Sequence, residues 1–462
     1  MQGVRLRRWF WWAGAFQEGK EIGLKRGWND VSFHGSSQIP TPNLDALASS
    51  GIMLNNYYSE CLCTPSRGSL LTGQYPIRLG LQHYVLRANE PSGIPLEMNT
   101  MPQYFKGLGY ATHMIGKVFF GIDLHNGTEV VKDIRGQYAT DLFTEKANLI
   151  IENHNPSQPL FLYLSHLAVH TANTFMPLQA PLDLIDQFDY IKNEYRRAFA
   201  GMTASLDNSI GKLFEALHNK NMLSNTILVF ASDNGGETDV SVDGYSSNYP
   251  LRGKKYFIWE GGIRVPALIW SPLLQLRKPQ VSMQLMHVAD WLPTLYRAAG
   301  GDPRNLGTID GQSVWEALVT NSRSPRTLLL HNIDPIYNVS SLRRVRDILR
   351  KVGMYLPKKD DTWRKGSEVK CDGVPETANQ CNPLDAPCLY NITADPCEMN
   401  NIADRHPEEV ESMLNIIKAY ESQAAEPQFQ YPDPHGDPMC HGFAYVPWQD
   451  PEHITNCPFF QK

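Results

Sequence analysis

Two uninterrupted apolar runs, Pro159-Leu160-Phe161-Leu162-Tyr163-Leu164 and Thr226-Ile227-Leu228-Val229-Phe230-Ala231, constrain the fold of this chain most. A run with no polar side must be covered on both faces, the situation of a strand inside a parallel sheet. The intervening stretch from about Ile191 to His218 has the length and periodicity of a crossover helix. A third segment, Tyr110 to Lys117, reads as a strand that delivers Lys117 at its end. The expected fold class is therefore α/β, a large and mostly parallel sheet with helices on both faces. In such sheets ligands bind beyond the carboxyl ends of the strands. Lys117, His170, Asp233 and Asn234 all fall there in the sequence.

The stretch Cys63-Thr64-Pro65-Ser66-Arg67-Gly68-Ser69-Leu70-Leu71-Thr72-Gly73 reads as a short helix, with Pro65 in the first turn and Gly73 as its stop. Cys63 then faces unpaired backbone N–H groups and the positive end of the helix dipole, a setting for an anion or a thiolate. Arg67 adds a forked positive charge about one turn on. The turn Asp233-Asn234-Gly235-Gly236 sets a carboxylate beside an amide oxygen, ligands suited to Ca²⁺ or Mg²⁺. Lys254 and Lys255, between Arg252 and Arg264, form a further positive patch, and His170 can exchange protons near neutrality. A second helix is expected from Pro42, capped by Thr41 and ended by Gly51.

The chain has 462 residues and a net charge of -6, which gives no pull toward nucleic acid. No run reaches the length of a membrane span. Arg5, Arg7 and Arg8 precede Trp9 to Phe16 in the basic-then-apolar order of a leader, but the apolar part is short and lacks a small-residue cleavage site. Residues 1–26 are set apart as an atypical N-terminal segment, equally compatible with a mis-joined start. Cys371, Cys381, Cys388, Cys397, Cys440 and Cys457 crowd the last quarter, which favours disulfides and an oxidising compartment. Sequons at Asn126, Asn338 and Asn391 fit that setting. From about Asn338 the chain changes character, and 338–462 are expected to form a smaller cysteine-containing α+β domain. Leu342, Val345, Ile348, Leu349 and Val352 there keep helical spacing among Arg343, Arg344, Arg346, Arg350 and Lys351.

Cys63-x-Pro-Ser-Arg67 followed by Leu70-Leu71-Thr72-Gly73 is similar to the signature of the formylglycine-dependent sulfatases. Gly27-Trp28-Asn29-Asp30-Val31, Asp233 to Gly236, Trp259 to Gly262, Asp290 to Thr294 and His331 to Pro335 most resemble the arylsulfatase B type. The resemblance runs from about Gly27 to Pro335 and implies an alkaline-phosphatase-like catalytic domain over 27–337. It implies that a formylglycine-generating enzyme oxidises Cys63 in the secretory pathway. The hydrated aldehyde would attack the sulfur of a sulfate ester, His170 would protonate the leaving alcohol, and the second hydroxyl would release sulfate. Asp233, Asn234 and the residue at Cys63 would hold one Ca²⁺, which with Arg67, Lys117 and Lys255 would neutralise the sulfate oxygens. The implied substrate is a sulfated carbohydrate such as a glycosaminoglycan, and the implied location is lysosomal or secreted.

The sequence also departs from that family. Leu24 and Lys25 stand where two metal-binding aspartates are expected, and the apolar strand that should precede them is not evident. Phe119 stands where a histidine should follow Lys117. Several dozen residues before Tyr138 and a strand after Pro335 are also missing from the expected pattern. Intact motifs with abrupt losses between them read as an incomplete product of a working sulfatase gene. The competing expectations are a catalytically inactive binder of sulfated glycans, with Arg343 to Lys351 as a basic face, and a phosphatase or phosphodiesterase on the same fold. Cys63 argues against the last, which would carry Ser or Thr.

Overall fold

The structure, a computed structural model, describes residues 8–12 (as backbone), most of 27–344 and much of 364–449. Leu24, Lys25, Phe119 and 345–352 lie outside the described residues. A seven-stranded sheet forms the centre. Its strands in chain order are β1 (Arg8–Trp12), β2 (Ile52–Leu54), β3 (Ala111–Gly116), β4 (Leu160–Ser165), β5 (Thr226–Ala231), β6 (Ala267–Trp270) and β7 (Gln280–Ser282). Across the sheet they run β7-β2-β6-β5-β1-β4-β3. Strands β3, β4, β1 and β5 are mutually parallel, whereas β6 runs antiparallel to both β5 and β2. The sheet is therefore mixed but mostly parallel.

The apolar runs lie in the middle because their side chains alternate between two cores. Leu160, Leu162, Leu164, Leu228 and Phe230 enter one core, beneath the helices Pro42–Ala48 (α1), Ala139–Asn153 and Glu194–Asn219. Phe161, Tyr163, Ile227 and Val229 enter the other, against Cys63–Thr72 (α2) and Trp291–Ala298. Each fully buried side chain of this size contributes about 1.5–3 kcal/mol of transfer free energy. That reward explains why neither run can tolerate a polar face.

Three expectations change. The strand that seemed to be missing before Gly27 is β1, which pairs in register with β4 (Arg8 opposite Leu160) and β5 (Arg8 opposite Thr226). Its arginine and three tryptophans disguised it as a leader-like segment. The strand sought after Pro335 is Val339–Arg344, antiparallel to Leu328–Asp334. Leu342, Arg343 and Arg344 are thus extended rather than helical. Arg343 is tied to Glu260 at 3.2 Å and does not lie on a basic helix face. Thr41 stands at the N-cap of α1 as expected but makes no side-chain capping bond, since its hydroxyl and backbone are engaged with Ser32. The carboxylate of Asp207, on the long helix, accepts from Asn43 and Leu44 backbone N–H groups instead, at 2.9 Å each.

The hairpin Leu328–Asp334/Val339–Arg344 packs Leu330, Ile333 and Leu342 with Tyr75 and Ile77 against Met413, Ile417 and Tyr420 of the helix Pro407–Glu421. Disulfides join Cys371 to Cys397 and Cys381 to Cys388. No helix among the described residues is long and apolar enough to cross a membrane.

Candidate active site

Helix α2 begins at Cys63 and stops at Gly73, whose φ of 70° gives the left-handed turn that a side chain would strain. The whole helix is buried. Its N-terminus meets the carboxyl ends of the parallel strands, where β3 ends just before Lys117, β4 ends in Ser165, and β5 is followed by Asp233.

Arg67 organises this junction. Its Nε and Nη2 donate to Asp233 Oδ2 at 2.9 and 2.8 Å. Its Nη1 donates to the Lys117 carbonyl at 3.0 Å, to the Tyr163 hydroxyl at 3.2 Å and to Ser165 Oγ. One guanidinium thus clamps the ends of three strands to the helix, and its charge reaches Cys63 mainly through the field. Burial acts to lower its pKa, but Tyr163, Asp233 and Cys63 more than offset that and hold it up. Ser66 adds a second tie, donating to the Asp233 carbonyl and accepting from the Glu60 backbone N–H.

Lys117 Nζ lies 3.4 Å from Cys63 Sγ, with both residues buried. Burial pushes the thiol up, yet Lys117, Lys255 and Arg67 together overcome burial and Asp233 and leave it below its ordinary value. Burial pulls Lys117 down to about 8, against the pull of Cys63. It also lowers Lys255, whose backbone N–H donates to the Gly236 carbonyl at 3.1 Å. Three cations thus surround the Cys63 thiol and the Asp233 carboxyl, with Glu237, itself paired with Lys254, also acting on Lys255, an arrangement suited to an incoming anion.

The structure brings Cys63, Arg67, Lys117 and Asp233 into direct contact and sets Lys255 beside them. His170 lies buried in the loop after β4, and its Nδ1–H donates to the Thr171 carbonyl at 2.6 Å. Since a carbonyl only accepts, Nδ1 carries the hydrogen of that bond. Asn234 is buried beside Asp233, its Nδ2 donating to the Gly235 carbonyl at 2.8 Å.

For a hard cation, the informative atom is Asp233 Oδ1, which is buried without a hydrogen-bond partner among the described residues. Together with Asn234 it offers oxygen ligands of the kind Ca²⁺ takes. Among the described residues no group of three or more His, Cys, Asp and Glu side chains gathers in a metal-binding arrangement. The described residues therefore fit one side of a calcium shell without completing it.

Sequence reasoning missed Tyr163, Ser165 and Ser66 as parts of this site. Tyr163 and Ser165 share one face of β4, an alternation visible in the sequence, but only their contact with Arg67 gives them a role.

A second cluster of buried charge gathers at Glu260. Glu260 accepts from the Tyr58 hydroxyl at 2.9 Å, from Arg264 at 3.1 Å and from Arg343 at 3.2 Å. Its backbone N–H donates to Glu398 Oε2 at 2.8 Å. Arg252 donates to the Glu398 carbonyl at 2.9 Å and stacks on Trp259 at 3.9 Å. Burial raises Glu260 to about 7, and burial with repulsion from Glu260 raises Glu398 to about 8.

Residues 25–301 match the family model described as Sulfatase. The chain is 34% identical to arylsulfatase J of Mus musculus over 93% of this chain and 79% of that protein. It is 28% identical to N-acetylgalactosamine-6-sulfatase of Homo sapiens, with 67% of each covered. Among solved structures, Ps i-CgsB in complex with k-i-k-neocarrahexaose superposes with a TM-score of 0.73 at 23% identity, covering 93% of this chain and 96% of that one. At that identity the superposition establishes the alkaline-phosphatase-like α/β fold.

Proposed function

The chain belongs to the sulfatase family, and from that premise we propose that it hydrolyses sulfate esters of sulfated sugars through a formylglycine formed from Cys63. The carrying observation is Cys63 at a buried helix N-terminus with Lys117 Nζ 3.4 Å from its Sγ and the charges of Lys255 and Arg67 acting on the same point. An anion is the natural complement of that charge. The names of N-acetylgalactosamine-6-sulfatase and of the neocarrahexaose complex support a glycan as the sulfate carrier.

Formylglycine, once formed, supplies a hydroxyl of its hydrate as the nucleophile. In this reading Lys117 and Lys255 direct their ammonium groups at sulfate oxygens as charge accumulates, and burial strengthens that interaction. Arg67 keeps Asp233, Lys117 and the helix in register through the contacts described. His170 Nε2 delivers the proton to the departing sugar oxygen, while Nδ1–H on Thr171 fixes the ring. Asp233 Oδ1 and Asn234 would hold Ca²⁺, which would add positive charge at the sulfate.

A formylglycine-generating enzyme is the partner this maturation requires. The paired cysteines of the C-terminal part and the exposed sequons Asn126, Asn338 and Asn391 support passage through the secretory pathway. Mass spectrometry of the peptide carrying Cys63, after secretory expression, tests the reading together with an aryl sulfate assay. Formylglycine with hydrolysis is expected, and an unmodified thiol with no hydrolysis would sink it.

A further inference from the structure

Tyr256 follows Lys255 directly and holds φ at 75°, a left-handed conformation that is costly for a bulky aromatic residue. The strain is held by the backbone bond from Tyr256 N–H to the Cys61 carbonyl at 3.1 Å. It leaves the ring 5.3 Å from the Lys255 ammonium on one side and stacked on Tyr84 on the other, 6.2 Å away with 18° between planes. From Tyr84 the rings continue outward. His83 lies 6.2 Å further, then Tyr337 at 4.5 Å and Phe429 at 4.9 Å from His83, and Tyr431 at 5.9 Å from Phe429. Tyr84, Tyr256 and Phe429 pack in the same apolar cluster as Cys63. The outer end is open, with Tyr337 58% and Tyr431 86% exposed.

We propose that the exposed end of this aromatic path, at Tyr337 and Tyr431, is part of the glycan cleft and receives sugar rings attached to the one whose sulfate sits at Cys63, with the buried His83 and Tyr84 joining it to Tyr256. A sulfate held between Cys63 and Lys255 brings its sugar up against Tyr256, because Tyr256 touches that lysine. A pyranose presents a C–H face to an aromatic ring and leaves its hydroxyl and sulfate edge to water or cations, the match that rings with one apolar and one wet side provide. Arg87, paired with Glu90 at 3.7 Å, lies 5.9 Å from the Tyr84 ring. The inner rings come from segments around residues 83 and 256 and the outer ones from the hairpin turn and residues 429–431, so only the folded chain assembles them.

The inference rests on the sulfatase reading, and a two-substrate comparison separates the two. Tyr431→Ala and Tyr337→Ala should each raise KM for a sulfated tetrasaccharide about five- to tenfold more than KM for nitrocatechol sulfate, which is too small to reach them. Tyr195→Ala, an exposed ring on the far helix, should leave that ratio as it is in the parent. Equal KM changes for both substrates, or none, would overturn the cleft. Failure of the parent chain to turn over nitrocatechol sulfate would count against the sulfatase reading alone. Calorimetric titration with the tetrasaccharide would then decide the cleft, with weaker binding by Tyr431→Ala supporting it and unchanged or absent binding rejecting it.

Discussion

The pocket at Cys63 and the junction at Glu260 and Glu398 both bury several charges within one domain's reach, yet they balance them in opposite ways. At Cys63, Lys117, Lys255 and Arg67 face Asp233, with Glu237, itself paired with Lys254, also acting on Lys255, and burial has already pulled Lys117 down to about 8. At Glu260, two carboxyls meet Arg264, Arg343 and the Tyr58 hydroxyl, and nearly every oxygen of Glu260 is answered by a donor. Buried charge that is fully answered holds parts of a protein together, whereas buried charge left in excess marks a place for a ligand. The first cluster is in that sense unfinished and the second complete.

The sharpest way to break the comparison is Arg67→Ala. It leaves Asp233 buried without its counter-charge and unclamps three strand ends, so a loss of about 3–5 kcal/mol in denaturant unfolding is expected, with aryl sulfate turnover abolished. A near-native midpoint would show that Arg67 is not the strut the contacts describe. Lys117→Met should act with the opposite sign on stability. Removing an ammonium that burial disfavours should stabilise the chain by up to about 3 kcal/mol, while turnover falls about 100-fold or more. Destabilisation by Lys117→Met would mean that the pocket is balanced after all.

The third effect is smaller and concerns the junction. Glu260 and Glu398 titrate higher in the folded chain than in the unfolded one, so between those values the folded state holds more protons. Their contribution is complete below the ordinary carboxylate range and is lost as pH rises through about 7 and about 8. Their part of the thermal midpoint should therefore fall as pH climbs from about 5 to about 8, while the buried His34 and His331, lowered to about 3, add a part that rises up to about the ordinary histidine value, and Glu398→Gln should flatten the falling part. Lys117, lowered to about 8, opposes the trend only above that pH. An unchanged slope in Glu398→Gln would remove the junction as its source.

The legible parts of the chain were those in which each local signal agreed with the fold. Leu160–Ser165 and Thr226–Ala231 announce themselves because both faces are buried, and α2 because Pro65 and Gly73 bracket it. Arg8–Trp12 and Val339–Arg344 stayed hidden for a physical reason. Each is a short strand carrying arginine, and pairing rather than composition decides its conformation. For Arg343 the deciding partner is Glu260, far away in sequence and invisible to any local pattern.

By itself the sequence determined the α/β class, the identity of the reactive stretch around Cys63 and the placement of Lys117 and Asp233 at strand ends, because periodicity and helix-end chemistry are local. Tertiary structure decided that Arg67 would serve as a clamp, that Tyr163 and Ser165 would hold it, and that Tyr84, Tyr256, Phe429 and Tyr431 would line one path. Those facts depend on which distant segments meet, and burial and charge act only once they have met.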